Sequence, residues 1–134
     1  MRPATLAQAY ERVAAGADYE TVLSELLDTF YLAPSALQRL AVLRDEPGPS
    51  GDPRLDALAG AIAEYLARQY RLPEIPDWAF DQCRYLDRPW HTSPFADDAM
   101  REYLTFASPA EFRSRNIFTE ERPLRRARSG LAPA

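Results

Sequence analysis

The sequence predicts an all-α fold of about five helices in one compact domain, with an aromatic-rich irregular segment before the C-terminal helices. Three observations predict it. Apolar residues recur at helical spacing through most of the chain. Residues suited to cap a helix start (Asp18, Asp52, Asp97 and Ser108) stand just ahead of those stretches. No alternating pattern of the strand type runs for more than a few residues.

The first helix carries Leu6, Ala9, Tyr10, Val13 and Ala14 on one side, and Gly16 is its stop. Asp18 caps the second, whose apolar positions are Tyr19, Val22, Leu23, Leu26, Leu27, Phe30 and Tyr31. Pro34 opens a third, with Leu37, Leu40, Ala41 and Leu43 inward. Proline suits a first helical position because its missing N–H would be unpaired there anyway. The Pro/Gly stretch from Asp45 to Gly51 reads as a loop. It separates this N-terminal three-helix part from the remainder of a single domain over 1–120. Asp52 and Pro53 restart the helix as cap and first residue. Leu55, Leu58, Ala59, Ile62, Leu66 and Tyr70 form the stripe of a long helix that runs to about Arg71.

Pro73 and Pro76 end that helix, and the chain is irregular to Phe95 apart from a helical turn between Asp77 and Gln82. Asp97 caps a further helix with Met100, Tyr103, Leu104 and Ala107 inward. Ser108 to Glu111 has the form of a capping box, opening a brief helix that carries Phe112. Ile117 and Phe118 dock as an extended apolar pair. Residues 121–134 form a basic, mobile tail.

The net charge of −4 hides an asymmetry. Arg113 to Ala134 holds six arginines against Glu120 and Glu121, about +4, so the first 112 residues carry about −8. A basic C-terminal segment on an acidic body can reach nucleic acid, an acidic partner or its own domain. All 16 basic residues are arginine, which fits a GC-rich coding sequence rather than selection for phosphate binding. The single cysteine, Cys83, cannot close an internal disulfide, which suits a reducing cytoplasm. The start of the chain lacks a secretory apolar region, and no run approaches the roughly 20 apolar residues of a membrane span. A cytoplasmic chain without a membrane partner is the expectation.

Chemistry has few places to reside. Zinc takes four Cys, His or carboxylate ligands, and the chain has one cysteine and one histidine. Glycine-rich phosphate loops are absent, so no cofactor is expected. Arg39 and Gln38 are the only base-edge readers that a helix-turn-helix over Tyr31 to Leu43 would offer, within the acidic half. A DNA-binding regulator would have to use the arginines from Arg113 onward. Nine of the 15 aromatics lie between Trp78 and Phe118. In an irregular segment such rings either pin the chain to its helices one by one or form a partner surface, where Trp, Tyr and Arg are favoured anchors.

The densest polar group runs from Arg84 to His91. An arginine followed by six residues and a histidine resembles the spacing of HEPN-type ribonucleases. That likeness implies phosphate binding by Arg84 and acid–base cleavage of RNA by His91. Pro89 interrupts the helix from which such residues would project. The plain alternative has Arg84 or Arg88 paired with Asp81 or Asp87 and His91 on a loop.

A second resemblance covers residues 52–127. The stretches Arg54–Ala67, Leu72–Trp78, Tyr85–Trp90 and Ser108–Phe118 resemble a group of small helical proteins of GC-rich bacteria. Some of these are similar to antitoxin-like partners of nucleotidyltransferase-type toxins. The resemblance implies a non-enzymatic protein-interaction module and carries over no catalytic residue. The expected contact surface is Trp78, Tyr85, Arg88 and Trp90 together with Arg113, Arg115 and Phe118. Rings and arginines there would cover the partner's phosphate-binding cleft.

Overall fold

A computed structural model describes residues 1–93, 97–120 and 122–124. Among these residues the fold is all-α: six helices and a two-stranded parallel pair of two residues each. Three helices come first, α1 (Leu6–Ala14), α2 (Tyr19–Leu32) and α3 (Ala36–Arg44). Thr5 caps α1 by accepting the Gln8 N–H, and Asp18 caps α2 by accepting the Thr21 N–H, both at 3.0 Å. The third helix does not open at Pro34. Ser35 is its cap, in extended backbone, with its hydroxyl accepting the Gln38 N–H at 3.2 Å. A side-chain acceptor at Ser35 satisfies an orphan donor that proline at the first position would leave bare.

Helix α4 (Pro53–Gln69) starts at the expected Asp52 cap with Pro53 behind it. Arg71, at φ 52°, ends it in the left-handed region. An apolar stripe accounts for only part of its burial. Every residue from Ala59 to Ala67 is buried, Gly60 and Glu64 included. A helix enclosed on all sides is the centre of a fold rather than its edge. Against it lie two 3₁₀ turns (Asp77–Phe80 and Gln82–Arg84) and the short α6 (Ala110–Arg113), while α1 to α3 pack chiefly on one another. The core joins Leu6, Tyr10, Leu26, Phe30 and Leu43 to Ile62, Leu66, Trp78, Phe112 and Ile117. The Tyr10 hydroxyl donates to the Leu55 carbonyl at 2.5 Å, and that of Tyr31 to Leu124 at 2.7 Å. Burial pushes both phenols well above the ordinary tyrosine pKa, so they serve as hydrogen-bond donors rather than acids.

Gly60 is a point of close approach to α4. A Cβ built there would stand 2.7 Å from the Cβ of Arg84 and 2.9 Å from the Ala79 carbonyl oxygen. Both obstacles are fixed by the backbone. Alanine favours helix by about 1 kcal/mol over glycine, yet the overpacking is expected to prevail. Gly60→Ala should lower stability by about 1–3 kcal/mol, read as a lower urea midpoint at unchanged slope.

Beyond the 3₁₀ turns, β1 (Trp90–His91) pairs parallel with β2 (Ile117–Phe118), Trp90 opposite Ile117 and His91 opposite Phe118. The extended apolar pair expected at Ile117–Phe118 is this second strand. Between the strands, α5 (Asp98–Ala107) has its Asp97 cap, which accepts the Met100 N–H at 2.8 Å. Its apolar side is not inward as expected: Leu104 is its only buried residue, while Met100 and Tyr103 are exposed. The helix packs chiefly on β2, which is too small to cover it. The Ser108 capping box does not form either. The buried Ser108 hydroxyl accepts the Thr119 N–H at 2.8 Å and lies against the Leu104 carbonyl, so it ties β2 to α5 and is unavailable to Glu111. Among the described residues no helix is long and apolar enough to cross a membrane. The expected mobile tail lies outside the described residues, apart from Arg122, Pro123 and Leu124.

Candidate functional site

Two of the arginines expected at a site hold the fold together. Arg115 is fully buried. One terminal nitrogen donates to Glu64 Oε1 and to the Glu111 carbonyl, the other to the Ala79 carbonyl, all at 2.7 Å. Its guanidinium also lies 4.8 Å from the Tyr85 ring. Arg115 therefore supports Tyr85 from beneath and is not available to a partner. Glu64 is shared with Arg68 at 2.8 Å, and Arg68 reaches Glu111 at 3.6 Å. The three elements α4, α6 and the first 3₁₀ turn are thus cross-linked by one charged cluster.

Arg84 is buried as well. It donates to the carbonyls of Asp56 and Pro47 and pairs with Glu46 at 3.1 Å, and its guanidinium lies over Trp78. Neither Asp81 nor Asp87 is its partner. These contacts direct Arg84 inward, away from any phosphate, so an Arg84–His91 catalytic pair of the ribonuclease type is not assembled. Trp78, placed in the expected contact surface, is buried, its Nε1–H directed at the carbonyls of Leu43 and Arg44. Arg39 is likewise no base reader: it donates to the Tyr31 carbonyl and lies over the rings of Phe30 and Tyr70.

Two neighbouring surfaces remain accessible. The first is a cleft of about 600 Å³ lined by Arg54, Arg88, Pro89, Trp90, His91, Thr92, Ser93 and Arg101. Strand pairing brings the two expected segments together here, with the His91 imidazole stacked on the Phe118 ring at 5.1 Å. Arg54 lies 5.3 Å above the half-buried Trp90 indole. Arg113, also expected at the surface, is exposed but does not line this cleft. Sequence reasoning missed Arg54 and Arg101. Arg54 sits one residue past the Asp52–Pro53 start signal and Arg101 four residues past the Asp97 cap, and nothing in their spacing ties them to residues 88–93.

The second surface is α5. Met100, Tyr103 and Phe106 are 45%, 52% and 74% exposed. With Ala99, Glu102 and Ala107 the two rings border a shallow groove of about 490 Å³. No group of three or more His, Cys, Asp and Glu that could hold a metal ion occurs among the described residues. The chain matches no family model, no curated protein and no solved structure.

Proposed function

We propose that the chain is a non-enzymatic protein-interaction module that docks an amphipathic helix of a partner protein on α5. The observation that carries this reading is the solvent exposure of Met100, Tyr103 and Phe106 on one short helix. Exposed aromatic clusters of this kind are costly in water and are favoured as interface anchors. The groove suits a helix in particular. Ala99 and Ala107 keep it shallow enough for a second backbone, and Tyr103 and Phe106 give it walls. Glu102 is the one charged residue lining it among the described residues, so the partner helix should present a basic group there. In this role the chain would be the antitoxin-like partner of a nucleotidyltransferase-type toxin, acting by steric cover; the resemblance of residues 52–127 supports that assignment.

The test is isolation of an affinity-tagged chain from its native host, beside a Phe106→Glu variant. One stoichiometric protein should accompany the parent chain and be missing from the variant. Absence of any stoichiometric partner, or its retention by the variant, contradicts the reading. A partner without a nucleotidyltransferase domain contradicts the antitoxin assignment alone.

A further inference from the structure

We propose that the cleft between the start of α4, β1 and α5 is a binding site for a nucleoside polyphosphate. Three arginines line it from separate parts of the chain: Arg54 on α4, Arg88 before β1 and Arg101 on α5. They do so in a protein with a net charge of −4. Four other arginines meet glutamates: Arg44 meets Glu74, Arg68 and Arg115 meet Glu64, and Arg84 meets Glu46. Among the described residues none of Arg54, Arg88 and Arg101 has a carboxylate partner within 4.0 Å. Like charges gathered without a counter-charge repel, and a polyanion in their midst turns that cost into attraction. Guanidinium forks match phosphate oxygens two at a time.

Size and lining narrow the ligand class. A cleft of about 600 Å³ is far larger than an inorganic anion needs and falls in the usual range for small-molecule sites. Trp90 forms an aromatic wall with the Arg54 guanidinium 5.3 Å over its ring, and a base can lie against this pair. The Thr92 and Ser93 hydroxyls line the same cleft and make no hydrogen bond among the described residues, so their donors and acceptors are free for phosphate or ribose. This site does not depend on the α5 groove, since the two share no lining residue.

Calorimetric titration of the purified chain at physiological ionic strength tests the proposal, with four probes: a nucleoside triphosphate, inorganic triphosphate, the bare nucleoside and a single-stranded oligonucleotide. The nucleoside triphosphate should bind one to one, inorganic triphosphate more weakly, and the bare nucleoside not at all. Arg54→Gln, Arg88→Gln and Arg101→Gln should each weaken binding by about tenfold or more, the worth of one charge-assisted pair. Arg113→Gln, outside the cleft, should leave it unchanged, as should Phe106→Glu. Arg54, Arg88, Arg101 and Arg113 are all exposed, so their variants should keep the parent unfolding midpoint. No saturable triphosphate binding, or equal weakening by Arg113→Gln, overturns the proposal. Tighter binding of the oligonucleotide, with a steep salt dependence, overturns it in favour of a nucleic-acid surface.

Discussion

Arg115→Ala is expected to lower stability by about 3–5 kcal/mol, the usual cost of removing one member of a buried ion pair. The side chain is fully buried and donates to Glu64, Glu111 and Ala79. Its removal strands a carboxylate in the core, empties the space beneath Tyr85, and leaves the Ala79 carbonyl without that donor. Arg68 keeps its own contact with Glu64, which holds the loss within that range rather than above it. Lysine should not rescue. A single ammonium cannot serve acceptors on α4, α6 and the 3₁₀ turn as the planar fork does. Urea denaturation checks this: Arg115→Lys should fall well below the parent chain. Exposed Arg113→Ala should stay within about 0.5 kcal/mol of the parent. Equal midpoints for Arg115→Ala and Arg113→Ala would show that the cluster contributes nothing to the fold.

Trp78→Ala should cost a similar amount, about 3–5 kcal/mol, for a different reason. The indole fills the space between the end of α3 and the buried Arg84, whose guanidinium lies 5.0 Å over its ring. Alanine leaves a cavity there and removes the N–H directed at the Leu43 and Arg44 carbonyls. Trp78→Phe separates the two effects. It keeps most of the ring and loses the donor, so about 1–3 kcal/mol of destabilisation is expected. Thermal or urea unfolding of both variants should rank them parent, Phe, Ala. A phenylalanine variant as unstable as the alanine one would place the whole effect in the hydrogen bond.

The helical skeleton was legible because its signals are local. Asp18, Asp52 with Pro53, and Asp97 each announce a helix within a few residues, and each caps the helix it precedes. The errors share the opposite origin. Pro34 and Ser35 both carry start signals one residue apart, and the side-chain acceptor decides. Ser108 has the right neighbours for a capping box, but a strand end eleven residues on takes its hydroxyl. Arg115 and Glu64 lie 51 residues apart, so each reads locally as an ordinary solvated charge, although together they form a buried pair. Helix α5 is the most instructive case. Its periodicity correctly marks one apolar side, but periodicity says nothing about whether a neighbour exists to cover it. The cleft was half legible: Arg88, Trp90, His91 and Phe118 were singled out from sequence, while Arg54 and Arg101 reach it only through the fold.

The uncovered side of α5 is proposed to bind a protein and not to stabilise the chain. Phe106→Ala separates these roles most directly, because the ring is 74% exposed. Titration of the isolated partner against parent and variant should show affinity weakened by about 2 kcal/mol, roughly 30-fold, as for an interface anchor. The variant's unfolding midpoint should match the parent's. Unchanged affinity, or a midpoint lowered as for a core aromatic, would rule out this role for Phe106.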